Sequence, residues 1–254
     1  MSTLWASRLA LGAAVACGGE TTVDPGGSCA ELAGGLTARL AKSPRPNAAA
    51  EILAIETSKE LVAPDALYER VAAELAAIAE IEPVTATIAP LSPCGYNALR
   101  VDFDQAGWAS VAQGTYHAWD CHNRAYGVTD IVAAPSAGAS SVVLTFGKRI
   151  NLGLLAKEYA SLPQVTDAER VLPTTDGPDV CLEVQVDQHY YVFDQAAGGC
   201  ETGCLENTYF GFRVAPGAAV TKLGTYDPSL PGEAPAWYGL LSDCRTRLNG
   251  IGGP

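Results

Sequence analysis

The stretch "SVVLTFGKRINLGLLAKEYASLPQVTDAERVLP" (Ser141 to Pro173) decides how the chain is read. Val142, Leu144 and Phe146 alternate with Val143 and Thr145, the period of a strand with one buried face. Asn151 stands where a helix needs an oxygen to accept its first free N–H. Leu152, Leu155, Tyr159 and Leu162 then fall on one helical stripe. Pro163 stops the helix, and "VTDAERV" continues as a strand.

Upstream, "YNALRVDFDQAGWASVAQG" (Tyr96 to Gly114) repeats the pattern. Leu99, Val101 and Phe103 share one strand face, and Arg100, Asp102 and Asp104 share the other. Asp104 can cap a short helix bearing Trp108 and Val111, which ends at Gly114. "YGVTDIVAA" (Tyr126 to Ala134) reads as another strand. Further back, "EILAIET" (Glu51 to Thr57) has the length and apolarity of a buried strand. "APDALYERVAAELAAIAEI" (Ala63 to Ile81) is helical, with Leu67, Val71, Leu75 and Ile78 inward and Glu69, Arg70, Glu74 and Glu80 outward. "VTATIA" (Val84 to Ala89) alternates as a strand.

From Glu51 the expected order is therefore strand, helix, strand, strand, helix, strand. Two right-handed crossovers of that kind give a four-stranded antiparallel sheet with two helices on one face, the split β-α-β arrangement. The fold class expected is α+β: one or more ferredoxin-like modules followed by a disulfide-linked β-rich region. That region holds "CLEVQVD" (Cys181 to Asp187) and "HYYVFDQ" (His189 to Gln195) as a hairpin. "TYFGFRV" (Thr208 to Val214) and "AAVTKLGTY" (Ala218 to Tyr226) follow as strands.

The strand, helix, "LP-x-V" turn and closing strand of Ser141 to Pro173 resemble the propeptide/inhibitor family of subtilisin-like proteases. Residues 51–134 resemble the same fold more loosely. The resemblance implies a module that binds a protease-like protein. In that family a free C-terminal tail enters the protease cleft, whereas here the chain runs on past both candidate modules.

The N-terminus carries a second resemblance. "LALGAAVACGGE" (Leu9 to Glu20) has one preceding charge, Arg8, then an eight-residue apolar run and small residues before Cys17. It resembles the signal of bacterial lipoproteins, with Ala14 where that family usually has Leu. The resemblance implies cleavage before Cys17, acylation of Cys17, and an outer-membrane-anchored envelope protein; plain secretion is the alternative. "GGETTVDPGGS" (Gly18 to Ser28) reads as a flexible tether. The expected division is a signal in residues 1–16, tether and linker in 17–50, a first module in 51–135, and a second β-α-β unit with the β-rich region in 136–254.

Of eight cysteines, Cys17 is assigned to lipid. In an oxidising compartment the other seven are disulfide candidates, one of them left over. Cys29, beside the tether, is the candidate for the odd one. The expected bridges join Cys94 to Cys121 and make two pairs among Cys181, Cys200, Cys204 and Cys244.

A net charge of −12 on 254 residues repels phosphate backbones and argues against nucleic acid as a partner. No cofactor motif is present. The densest polar cluster is "YHAWDCHNR" (Tyr116 to Arg124), whose His117, Asp120, Cys121 and His122 are zinc-ligand types. Its spacing fits no familiar zinc site, and a surface loop pinned by a disulfide is the plainer reading. His189 is expected on a strand surface. Tyr190, Tyr191, Phe193, Tyr209, Phe210 and Phe212 form either sheet core or the floor of a groove. The expectation is a non-catalytic envelope lipoprotein that binds another envelope or extracellular protein, in one version as a protease inhibitor. The alternative is a metal-binding protein or enzyme using His117, Cys121 and His122.

Overall fold

In the computed structural model, residues 36–90, 97–134, 140–171, 179–198 and 206–240 are described. The chain enters through α1 (Thr37–Leu40), α2 (Ala48–Ser58) and α3 (Asp65–Ile81). Helix α2 replaces the strand expected at Glu51 to Thr57. Asn47 Oδ1 accepts the Ala50 N–H at 3.0 Å and starts a run of Ala, Leu and Glu, all good helix formers. Ala50 to Ile55 are all buried, so no polar face reveals the helical period. The strand expected at Val84 to Ala89 is instead a 3-10 turn, Pro83–Thr87, in which the Thr85 and Thr87 hydroxyls bond back to the Glu82 and Val84 carbonyls.

The first sheet contains β1 (Ala98–Phe103), β2 (Val128–Ala133), β3 (Ser141–Phe146) and β4 (Val165–Arg170) in the order β2-β3-β1-β4, every pairing antiparallel. Helices α4 (Gln105–Ala112) and α5 (Asp120–Tyr126) connect β1 to β2, and α6 (Leu152–Ala160) connects β3 to β4. The order strand, helix, strand, strand, helix, strand is thus present, but it runs from Ala98 rather than from Glu51. The expected boundary between residues 135 and 136 falls between β2 and β3, and those strands pair with each other.

Both predicted caps are formed. Asp104 Oδ1 accepts the Gly107 N–H at 2.7 Å, and Asn151 Oδ1 accepts the Leu154 N–H at 3.2 Å. Leu99, Val101, Phe103, Val142, Leu144 and Phe146 pack with Leu152, Leu155 and Tyr159 of α6 into one core. Phe103, Tyr116 and Trp119 close it with three edge-to-face contacts, at centroid separations of 5.1 to 5.5 Å.

The second sheet is an antiparallel meander of β5 (Asp179–Gln185), β6 (Gln188–Ala197), β7 (Glu206–Ala215) and β8 (Ala219–Tyr226). One face carries Val180, Leu182, Tyr191, Phe193, Phe210, Phe212 and Val214, which pack with Ala50 and Leu53 of α2 and Val71 and Ile78 of α3. On the other face Cys181, Val192 and Tyr209 lie beneath Trp237, Tyr238 and Leu240. The six aromatics are thus divided: four in the helix-facing core, Tyr209 under Tyr238, and Tyr190 half-buried.

Buried charges link α2 to the loop between β3 and α6. Glu51 is fully buried, and its Oε2 accepts from Arg149 Nη1 at 2.7 Å and from the Arg45 backbone N–H at 2.8 Å. Arg45 continues to Asp65 at 2.7 Å.

Candidate functional site

In an antiparallel pair, residues directly opposite project to the same side, so register assigns every side chain of the first sheet to a face. The core residues take one face. The other receives Ala98, Arg100 and Asp102 from β1, and Val143 and Thr145 from β3. It also receives Val132 and Asp130 from β2, and Asp167 and Glu169 from β4. All of these are half-buried or exposed, Val132 at 52%, whereas Ser141, opposite Asp102 on the same face, is fully buried.

Arg100 sits in the middle of this outer face. Its guanidinium bonds Asp102 at 3.0 Å and Glu169 at 2.9 Å. The hydrogen bond that Arg100 donates to Asp102 leads in raising the Arg100 pKa above its ordinary value, over the opposing effect of burial. Three carboxylates (Asp102, Asp167 and Glu169) therefore lie around one cation, and Asp130 adds a fourth to the same face two strands away, beside a patch of Val132, Val143 and Thr145. Such a surface is acidic and partly apolar, which suits it to a protein contact.

The residues singled out as metal ligands are only partly brought together. His117 Nδ1 and Asp120 Oδ2 are 2.9 Å apart, both exposed. His122 turns to the rings of Tyr126 and Tyr159, with centroids at 6.1 and 5.5 Å. Burial is the leading effect on its imidazole and lowers its pKa, against the pull of Glu158. The segment expected as a surface loop is helix α5 from Asp120 on, which spaces these side chains around a turn. Among the described residues no group of three or more His, Cys, Asp or Glu is placed to hold a metal ion. Cys121 lies in α5 and Cys181 in β5. Cys17, Cys29, Cys94, Cys200, Cys204 and Cys244 lie outside the described residues, as do the signal and tether.

His189 is buried, not on the strand surface, with 2% of its area exposed. It alternates with Tyr191 and Phe193 on the strand face that α3 covers, which places it in the core. Glu74, expected to point outward, is equally buried and receives it. Glu74 Oε2 accepts from His189 Nδ1 at 2.6 Å and from the Tyr191 hydroxyl at 2.5 Å, and Oε1 accepts from Arg70 Nε at 2.8 Å. Burial pushes the Glu74 carboxyl upward. The hydrogen bonds from His189, Tyr191 and Arg70 outweigh it and hold the pKa below its ordinary value. Burial, with Glu74 beside it, pushes the Tyr191 phenol up. Arg70 also donates to the Asp187 carbonyl at 3.2 Å, which ties α3 to the β5–β6 turn. The sequence offered one signal for this network: His189 shares strand parity with Tyr191 and Phe193.

No family model, curated protein or solved structure matches this chain.

Proposed function

We propose that the chain is an exported lipoprotein that binds another envelope protein through the outer face of its first sheet. The observation that carries the binding reading is that face: a four-stranded surface with one side committed to the core and the other half-exposed and acidic. It fits a basic partner surface, because four carboxylates against Arg100 leave an excess of negative charge. Strand order β2-β3-β1-β4 with helical crossovers supports the ferredoxin-like reading of this half. Inhibition of a subtilisin-like protease is the most specific form of the proposal, and a panel of such proteases tests it directly.

Anchoring rests on the resemblance of Leu9 to Glu20 to lipoprotein signals. Among the described residues no helix is long and apolar enough to cross a membrane. The disulfide framework is part of the proposal, with Cys94 paired to Cys121 and two bridges among Cys181, Cys200, Cys204 and Cys244. It is supported by the eight cysteines of a chain whose leader resemblance sends it to an oxidising compartment.

Site-specific photo-crosslinkers at Val143 and Thr145, with controls at Glu69 and Glu80 on the far side of α3, test the docking face in the intact envelope. The expected result is one discrete adduct at the face positions, weakened by salt and lost in Asp167→Lys/Glu169→Lys. Equal labelling at all four positions, or adducts indifferent to charge reversal, overturns the reading. The intact mass of membrane-extracted protein tests the anchor: a chain beginning at an acylated Cys17 is expected, and an unmodified N-terminus refutes it.

A further inference from the structure

We propose that Asp130 and Asp167 close the two edges of the first sheet against strand addition, so that a second copy of the chain cannot extend it. This inference concerns self-association and stands whether or not the outer face carries a partner. Sheet edges present unpaired N–H and C=O groups and act as templates for another strand. Among the described residues the edges are β2 and β4; β2 carries exposed apolar side chains, Ile131 at 44% and Val132 at 52%, and Val171, 37% exposed, follows β4. Sequences such as "VTDIVA", rich in β-branched residues, are the kind that pair readily.

The register identifies which amides face outward. On β2, the Ala134 N–H donates to the Ser141 carbonyl, so alternate residues Ala134 and Val132 face β3 while Ile131 and Ala133 direct their N–H groups away. Asp130 Oδ1 accepts the Ile131 N–H at 3.0 Å. On β4, the Val171 N–H donates to the Ala98 carbonyl, so Glu169 and Asp167 face β1 while Ala168 and Arg170 point out. Asp167 Oδ1 accepts the Ala168 N–H at 2.8 Å. The same local bond therefore occupies an outward amide on each edge. An approaching strand would need that N–H for its own carbonyl oxygen. It meets instead a donor already used and a carboxylate whose negative charge repels the carbonyl.

Asp179 Oδ1 accepts the Val180 N–H at 2.8 Å on β5, but there both residues are buried. At that position the bond satisfies a buried amide. On β2 and β4 the amides lie at exposed edges where water would serve equally well. Preventing a competing strand is what the carboxylate adds there.

The test is sedimentation velocity of the full chain over a concentration series. Asp130→Asn/Asp167→Asn is expected to self-associate more than the wild type but less than the alanine variant, because an asparagine oxygen still accepts the same N–H while the repelling charge is gone. Asp130→Ala/Asp167→Ala is expected to self-associate about tenfold more tightly, since two outward donors are released per molecule. Adding Ile131→Pro and Ala168→Pro, which delete those N–H groups, is expected to abolish the association. Circular dichroism establishes that each variant is folded, and the single alanine variants replace the double one if it is not. The proposal is overturned if folded alanine variants sediment like the wild type, if the asparagine variant associates as strongly as the alanine variant, or if association survives the prolines.

Discussion

Truncating Glu74 to alanine should be among the most damaging single changes available in the second half of the molecule. The side chain is 2% exposed and takes three side-chain donors. Without it, the His189 imidazole and the Tyr191 hydroxyl are left buried with their donors unpaired. Each such orphan costs about 1–3 kcal/mol. The Arg70 pair adds little, because the Arg70 side chain is 39% exposed and its charge is screened by solvent. The loss expected for Glu74→Ala is thus about 3–5 kcal/mol, a large share of a typical stability of about 5–15 kcal/mol. Urea unfolding followed by circular dichroism should show a lower midpoint with an unchanged slope. Glu74→Gln keeps an acceptor and should lose less. The triple variant Glu74→Leu/His189→Leu/Tyr191→Phe removes the donors together with the acceptor, and should recover part of what the single alanine change loses. The network also has a pH signature. The folded state holds the Glu74 pKa below its ordinary 4.5, so its contribution is complete above about pH 4.5 and fades as pH falls through the lower, folded value. A Glu74→Ala variant within about 0.5 kcal/mol of the wild type would refute the reasoning, as would a triple variant weaker than the single one.

Other substitutions probe separate parts of the fold. Gly211→Ala places a Cβ 2.5 Å from the Trp237 indole, so a loss of about 1–3 kcal/mol is expected, visible in the melting temperature and in tryptophan fluorescence. An unchanged melt would mean that Trp237 does not press on β7. Val186 has φ of 54° at the first position of the two-residue β5–β6 turn, with 93% of its area exposed. Val186→Gly should raise the melting temperature, because a β-branched residue in the left-handed region costs about 1–2 kcal/mol. A decrease would show that the exposed valine contributes a contact. Asp104→Ala and Asn151→Ala should each cost about 1 kcal/mol through loss of a helix cap, measured by denaturant titration. A change within error at either position would show that solvent replaces the cap without penalty.

Several parts of this fold were legible from the chain because they depend on local geometry. β1 and β3 announced themselves through strict alternation, Leu99-Val101-Phe103 and Val142-Leu144-Phe146, since one face of each meets the core and the other does not. The caps at Asp104 and Asn151 were legible because a free N–H at a helix start needs an acceptor at one defined offset. The β5–β6 hairpin followed from two alternating runs separated by a short turn. Helix α2 was not legible, because burial on nearly all sides of Ala50 to Ile55 erased the polar face that distinguishes a helix from a strand. Misreading it as the first strand displaced the whole β-α-β unit toward the N-terminus.

The candidate sites divide along the same line. Sequence supplied the residue types of the "YHAWDCHNR" segment, but helix α5 decided that His117 meets Asp120 while His122 packs against Tyr126 and Tyr159. Glu74 and Arg70 looked like neighbouring residues on a solvated helix face, and 115 positions separate Glu74 from His189. Their association needs α3 to lie on the second sheet, a choice made by the fit of two apolar surfaces. By itself the sequence determined periodicity, caps and turns, because those depend on backbone hydrogen bonds between near neighbours. Only the tertiary structure decided which charges are buried together, which face of the first sheet is left half-exposed, and which amides lie on its edges. Those outcomes depend on which surfaces meet, and the hydrophobic contact that brings them together acts between residues far apart in the chain.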